Sequence, residues 1–316
     1  MKHKVLVAGA GQLGSRYLQG LAKSDVPLDI VVFDPSLESL GRADQRWQEV
    51  ALAADHSVSY VPDIVTLPSR LDLVIVATTA DVRAGVVEEI CKQADVHYWV
   101  LEKVLVQSTD ELKKLKRVIG DGEKAWVNTP MHLWPLYQNL RARYAGNIAI
   151  DASFSGFRGL TCNSIHYIDF VGRWNGAAVT KVDASSLQPE WYPAKREGFY
   201  EADGVIKVQF ADGSRLALSS DRNKLGLQVA LKVGDDEWQV SEADGIARAA
   251  DGRVVEGEVA FQSQLTAPMA EAIFLGKPCG LPTLDESIQQ HTLFLDALLA
   301  HWNEHMPNNL DRLPIT

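Results

Sequence analysis

The beginning of the chain places the strongest constraint on its fold. An apolar run at residues 5–8 leads directly into three glycines, Gly9, Gly11 and Gly14, in the spacing G-x-G-x-x-G. Apolar residues then recur at the interval of one helix face, at Leu13, Tyr17, Leu18 and Leu21. This order predicts a buried strand, a tight turn and a helix in direct succession.

Each glycine has a separate physical role in such a turn. Gly9 permits the tight turn, Gly11 lets a pyrophosphate approach the backbone, and Gly14 lets the helix lie close to the sheet. The start of the helix offers free N–H groups and a positive dipole end to phosphates. The pattern therefore predicts a dinucleotide site. The alternative is a glycine-rich turn in an ordinary α/β fold.

A second apolar run, residues 29–33, ends at Asp34, about twenty residues after the last glycine. A carboxylate at this place accepts hydrogen bonds from a ribose 2′-hydroxyl and repels a 2′-phosphate, so NAD is favoured over NADP. Arg42 and Arg46 in the next predicted helix would favour NADP if they reached back. Further cofactor contacts are expected from Gln12, Leu13, Thr78, Thr79, Glu102 and Lys103.

Composition and charge exclude several classes of function. The 316 residues carry a net charge of −10, which argues against binding of nucleic acids or anionic membranes by bulk electrostatics. The three cysteines, Cys91, Cys162 and Cys279, have no metal-ligand spacing and are expected to be reduced thiols in a cytoplasmic protein. We expect no metal site. No apolar stretch approaches the roughly 20 residues that span a bilayer.

The order of predicted elements divides the chain in two. Apolar strands alternate with helices through residues 1–127, which predicts a dinucleotide-binding domain with a doubly wound parallel sheet, a Rossmann fold. Residues 128–316 contain segments of polar and apolar alternation separated by turn signals, which predict an α+β domain with a large antiparallel sheet. Helices are expected there at about 135–144, 164–174, 263–275 and 284–304.

Two later motifs add a resemblance to a known family. Residues 102–104 read E-K-V at the end of a predicted strand, and residues 165–169 read I-H-Y-I-D in a predicted helix. With the glycine loop and the antiparallel sheet, this order resembles the Gfo/Idh/MocA oxidoreductases over essentially the full length. The resemblance implies hydride transfer between NAD(P) and a hydroxyl or keto carbon of a sugar, cyclitol or nucleotide-sugar-like substrate. It also implies a homodimer or homotetramer formed through the C-terminal sheet.

The same resemblance assigns catalytic roles to Lys103 and His166. Lys103 would lie between nicotinamide and substrate, and His166 would act as acid or base on the reacting hydroxyl, for which its unperturbed pKa of ~6.5 is suitable. A surface lysine and a histidine bonded to the backbone are the structural alternatives. Substrate contacts are expected from Asp169, Asn163, Asn128 and Arg158, with His132 beside the same cleft.

Three positions depart from the pattern of that family. Val104 replaces a proline, Cys162 stands where an aspartate is common, and Thr79-Ala80 replaces a Pro-Asn pair. Because residue 104 is not a proline, we assume no cis peptide bond before it. The departures leave open a catalytically altered relative, which would be a sensor, a scaffold or an enzyme that uses NAD without net turnover, such as an NAD-dependent glycosidase.

Overall fold

The computed structural model describes residues 2–120, 122–224 and 226–316. They form two compact units. Unit 1 contains residues 2–106, 111–128 and 260–285, and unit 2 contains residues 107–110, 129–259 and 286–316. The functional division into a dinucleotide-binding domain of residues 1–127 and a substrate domain of residues 128–316 stays a prediction.

Unit 1 is built on a parallel sheet of six strands. These are β1 (His3–Ala8), β2 (Leu28–Phe33), β3 (Ser57–Val61), β4 (Arg70–Val76), β5 (Asp95–Leu101) and β6 (Ala125–Val127). Their order is β3-β2-β1-β4-β5-β6. The chain reverses its direction of strand addition between β1 and β4, and the carboxyl ends of strands at such a point are where open α/β sheets bind ligands. The predicted Rossmann sheet is confirmed.

Helices separate the strands as predicted. Their bounds are α1 (Gln12–Leu21), α2 (Leu37–Gln48), α3 (Ala80–Gln93), α4 (Thr109–Ile119), α5 (Pro135–Arg141), α6 (Leu160–Asn175), α7 (Gln262–Phe274) and α8 (Leu284–His305). Helix α7 lies against α1 in unit 1. A Cβ atom on Gly20 would lie 2.5 Å from Cβ of Thr266, so the two helices approach closely because Gly20 has no side chain.

Unit 2 is built on a sheet of eight strands. These are β7 (Ile150–Ser155), β8 (Val179–Pro193), β9 (Tyr200–Phe210), β10 (Arg215–Ser220), β11 (Gln228–Val233), β12 (Asp236–Ser241), β13 (Ile246–Ala249) and β14 (Val254–Glu256). Their order is β14-β13-β12-β11-β7-β10-β9-β8. Strands β7 and β10 are parallel, and the other neighbouring pairs are antiparallel. The sheet is therefore mixed, and the sequence did not predict β13 and β14.

Two local features differ from the predictions. Helix α6 begins at Leu160, one turn earlier than expected, so His166 lies in its second turn and not at its start. The peptide bond between Lys103 and Val104 is cis although residue 104 is not a proline, which differs from the trans form assumed from the sequence. Among the helices of the described residues, none is long and apolar enough to cross a membrane.

Candidate functional site

The glycine loop joins β1 to α1 in unit 1. Gly9 has a φ of 100° and its N–H donates to the carbonyl oxygen of Phe33 at 2.8 Å, which ties the loop to β2. A Cβ atom on Gly14 would lie 1.7 Å from the carbonyl oxygen of Gly9, so only glycine allows this contact. A Cβ atom on Gly11 would have no neighbour within 4 Å. The loop thus has closely packed sides and an open centre at Gly11.

Asp34 follows the carboxyl end of β2, where the sequence places it. Its Oδ2 atom accepts a hydrogen bond from the Ala10 N–H at 2.7 Å, and its Oδ1 atom accepts one from the Ser36 N–H at 2.8 Å. Both oxygens are therefore anchored to backbone, one of them to the glycine loop itself. A ribose hydroxyl can still donate to the remaining lone pairs of this fixed carboxylate.

Glu102 ends β5 inside a polar cluster of unit 1. It is 3 % exposed, and its Oε1 atom accepts hydrogen bonds from the Tyr17 hydroxyl at 2.5 Å and from Nδ2 of Asn128 at 2.6 Å. Asn128 Nδ2 also donates to Oε1 of Gln262 at 2.7 Å. Burial raises the pKa of Glu102, and the bonds from Tyr17 and Asn128 and the charge of Lys103 oppose that rise. The cluster brings the predicted residues Glu102 and Asn128 together.

Arg83 is a buried cation that the sequence analysis did not select. Only 1 % of it is exposed, and its guanidinium donates to the carbonyl oxygens of Thr78 and Val104 and, at 2.8 Å, to that of Leu105. Burial lowers the pKa of Arg83 to about 10. The residue joins the loop after β4 to the loop after β5. Arg83 lies three residues after Ala80, on the buried face of α3. This helical spacing is the sequence signal that could have identified it as a buried residue.

The other predicted cofactor residues of unit 1 lie after β4 and β5 or in the first turn of α1. Lys103 is half-buried and directly follows Glu102. Thr79 is the N-cap of α3. The hydroxyl oxygen of Thr78 is buried and has no hydrogen-bond partner among the described residues. Gln12 and Leu13 are exposed in the first turn of α1.

Helix α6 carries the predicted catalytic histidine of unit 2. The helix begins after Gly159, whose φ is 81°, and Glu201 of β9 supplies its N-terminal acceptor. Oε2 of Glu201 accepts from the Thr161 N–H at 2.8 Å and from the Thr161 hydroxyl at 2.6 Å. His166 lies one turn further on and is half-buried. A buried carboxylate forty residues away in sequence thus satisfies a backbone N–H in the first turn of α6.

Two of the predicted substrate residues lie next to each other at this helix end. Nδ2 of Asn163 donates to the carbonyl oxygen of Arg158 at 3.1 Å. The Arg158 side chain is exposed. Their predicted contacts with a substrate stay predictions.

Asp169 is buried in the interior of unit 2. It is 0 % exposed, and its carboxylate accepts from the Thr129 hydroxyl at 2.8 Å and from Nε2 of Gln290 at 3.2 Å. Nε of Arg173 lies 3.4 Å from Oδ1, and Nδ1 of His132 lies 3.7 Å from Oδ2. Burial raises the pKa of Asp169 to about 6. The surroundings suit a carboxylate that orients its neighbours, and its predicted contact with a substrate hydroxyl stays a prediction.

Glu242 is a carboxylate of unit 2 that the sequence analysis did not select. Glu242 is half-buried and accepts from the Tyr137 hydroxyl at 2.5 Å. Burial raises the pKa of Glu242, and the bond from Tyr137 opposes the rise. Glu242 lies in a turn directly after β12, and the sequence there has no pattern that indicates a buried carboxylate. Among the described residues no group of three or more acidic, histidine or cysteine side chains could hold a metal ion.

Comparisons with known proteins identify the fold. No protein-family model matches the sequence, and no curated protein matches it. Solved structures do match over nearly the full length. Myo-inositol dehydrogenase from Lactobacillus casei, in complex with NAD(H) and myo-inositol, has a TM-score of 0.68 and 14 % identity, with 96 % of each chain covered.

Two further structures agree with that match. Levoglucosan dehydrogenase in complex with NADH and levoglucosan has a TM-score of 0.71 and 13 % identity, and the match covers 96 % of this chain and 98 % of that one. UDP-N-acetylglucosamine 3-dehydrogenase from Acidithiobacillus ferrooxidans has a TM-score of 0.67 and 16 % identity, with 95 % and 97 % covered. The chain therefore has the fold of the Gfo/Idh/MocA-type oxidoreductases.

Proposed function

We propose that this protein is an NAD(P)-dependent oxidoreductase that acts on a hydroxyl or keto carbon of a sugar, cyclitol or nucleotide-sugar-like substrate. The observation that carries the proposal is the glycine loop, whose Gly14 packs on Gly9 while Gly11 stays open beside the anchored carboxylate of Asp34. The structural neighbours bound to NAD(H) with myo-inositol and to NADH with levoglucosan support it.

The residues of unit 1 fit a dinucleotide. The open space at Gly11 would admit the pyrophosphate to the start of α1, and Asp34 would accept from the adenine ribose. The buried Thr78 hydroxyl offers a donor that no described residue uses. NAD is favoured over NADP because the Asp34 carboxylate is fixed by two backbone bonds and would face a 2′-phosphate.

The chemistry divides between the cofactor and two side chains. A bound nicotinamide would supply or accept the hydride. We assign to Lys103 the stabilisation of negative charge on the reacting substrate oxygen. We assign to an imidazole nitrogen of His166 the uptake of the hydroxyl proton in oxidation and its return in reduction. Neither role requires a metal ion.

The direct test replaces Lys103 and His166 by alanine and measures NAD reduction with myo-inositol, levoglucosan and other polyols. Each variant should lose turnover by orders of magnitude with little change in NADH affinity. Lys92→Ala is the matched control, because Lys92 is an exposed lysine paired with Glu89 at 2.7 Å and should leave turnover unchanged. Full activity in both Lys103→Ala and His166→Ala would refute the assignment.

A protein that binds NAD without net turnover is the second candidate. The observation that favours it is the environment of Asp169, whose carboxylate is fully buried and already bonded to Thr129 and Gln290. Cys162, a thiol, occupies the first turn of the helix that carries His166. Tight NADH binding combined with no NAD reduction across the polyol panel would favour this candidate over the first.

A further inference from the structure

We propose that Arg46 is a positioning residue that turns the side-chain amide of Gln12 toward a phosphate of the dinucleotide. The inference rests on the proposed function, because it concerns the same nucleotide site of unit 1. It gives Arg46, which the sequence offered only as a possible contact to a 2′-phosphate, a role at the pyrophosphate. Three observations lead to it.

The first observation is the contact between Arg46 and the start of α1. Nη2 of Arg46 donates to Oε1 of Gln12 at 2.7 Å, and Nη1 donates to the Gln12 carbonyl oxygen at 3.2 Å and to the Ser15 hydroxyl. Ser15 is 1 % exposed, so one end of the contact is buried in the unit. The guanidinium therefore forms hydrogen bonds to both the main chain and the side chain of Gln12.

The second observation concerns the atoms of the Gln12 side chain that remain available to a ligand. Since Oε1 of Gln12 accepts from Arg46, the two N–H groups of the same amide are the part of the side chain that can serve a ligand. Gln12 is the first residue of α1 and is exposed. It follows Gly11, where the loop is open. The amide donors thus stand at the helix end that phosphates prefer.

The third observation is electrostatic. The first turn of α1 contains no acidic residue that would balance the positive end of the helix. Arg46 adds a full positive charge beside it, and burial together with the charges of Arg16 and Arg42 lowers the pKa of Arg46. Like charges gathered at a positive helix end repel each other, and a bound pyrophosphate would relieve that repulsion.

A purely structural role for Arg46 would be to hold α2 against α1. Gln12→Glu tests the ligand side of the proposal while it preserves the link between the helices. It keeps an acceptor for Arg46, but it removes both amide donors and places a negative charge beside the proposed phosphate site. Arg46→Ala separates the two roles. If Arg46 only holds the helices together, a folded Arg46→Ala protein binds nucleotide unchanged, whereas our proposal predicts weaker binding by both variants.

The experiment is calorimetric titration with NADH and NADPH of the full-length protein and of four variants. Gln12→Glu and Arg46→Ala test the proposal. Gln48→Glu adds the same charge to an exposed glutamine of α2, and Arg117→Ala removes an exposed arginine of a different helix, α4. Thermal unfolding of each variant confirms that it is folded.

We expect Gln12→Glu and Arg46→Ala to weaken NADH binding at least about tenfold, the effect of losing charge-assisted bonds to a phosphate. The Gln48→Glu and Arg117→Ala controls should bind NADH within about twofold of the unchanged protein. NADH binding by Gln12→Glu within twofold of the unchanged protein would overturn the proposal. So would an Arg46→Ala variant that weakens NADPH alone, since Arg46 would then serve a 2′-phosphate. If the unchanged protein binds neither nucleotide, the proposed function itself fails.

Discussion

Gly14 packs so closely on Gly9 that a Cβ atom on Gly14 would lie 1.7 Å from the carbonyl oxygen of Gly9. The contact seats the first turn of α1 on the end of β1 and leaves the centre of the loop open at Gly11. The two glycines of one motif therefore have different roles. Gly14 allows the helix to pack on the strand, and Gly11 leaves space for a ligand.

Alanine substitutions at these two glycines should separate stability from binding. Gly14→Ala forces the backbone apart and should lower the free energy of unfolding by about 3 kcal/mol or more, in the range of severe overpacking. Gly11→Ala meets open space and should unfold like the unchanged protein while it binds NADH more weakly. Denaturant unfolding and NADH titration of both variants check this. A Gly14→Ala protein of unchanged stability would contradict the observed packing.

The hydroxyl of Tyr17 should matter to stability through Glu102. Tyr17→Phe removes one of the two donors to a carboxylate that is 3 % exposed. The loss of a buried bond to a charged group should cost about 1–3 kcal/mol of unfolding free energy. Tyr98→Phe, at a half-buried ring of β5, is the matched control and should cost less. Equal stabilities of the two variants, measured by urea unfolding, would show that the Tyr17–Glu102 bond is not significant.

Asp169 should make stability depend on pH in a defined direction. Burial raises its pKa from 3.8 to about 6 in the folded protein. A raised pKa means that the folded state holds the proton more tightly than the unfolded chain. The stabilisation of the folded state by protonated Asp169 is therefore fully present below about pH 4 and is lost as the pH rises through about 6.

Comparison with Asp169→Asn isolates this effect. Between pH 4 and pH 7 the stability of the unchanged protein should fall by about 2–3 kcal/mol relative to the variant. Asp183→Asn is the control, because hydrogen bonds from Ser185 lower the pKa of Asp183 and its contribution to stability is lost only as the pH falls below about 4. Between pH 4 and pH 7 this variant should differ from the unchanged protein by a nearly constant amount. Denaturant unfolding across this pH range measures the free energies of unfolding. If the difference between the unchanged protein and Asp169→Asn does not depend on pH, the raised pKa of Asp169 is contradicted.

The predicted homodimer or homotetramer stays a prediction with a simple test. One face of the eight-stranded sheet carries exposed polar residues, among them Ser153, Lys207 and Arg215. The family resemblance places the subunit contact on this sheet. Sedimentation at micromolar concentration should show a dimer or tetramer. A monomer at that concentration would refute the expectation.

Local sequence signals were sufficient for the parallel half of the fold. The glycine spacing, the continuous apolar run of β4 and the carboxylate at residue 34 each follow from neighbours within a few residues. Asp34 lies at the end of β2 as predicted. Its bond to the Ala10 N–H was not predicted, because it joins residues that lie 24 positions apart.

Long-range pairing explains most of what the sequence did not indicate. Helix α6 starts at Leu160, and the N–H of Thr161 in its first turn is satisfied by Glu201, forty residues later. The Tyr17 hydroxyl reaches Glu102 across 85 residues. Strands Ile246–Ala249 and Val254–Glu256 are only 4 and 3 residues long, too short to show alternation. The first pairs with β12 and the second pairs with the first, so both depend on pairing that the local sequence does not show.

The central claim is that the glycine loop and Asp34 bind a nicotinamide dinucleotide. Calorimetric titration of the purified protein with NADH and NADPH tests it most directly, after any cofactor carried through purification has been removed. We predict tight binding of NADH and weaker binding of NADPH, because the anchored Asp34 carboxylate would repel a 2′-phosphate. Binding of neither nucleotide would contradict the claim.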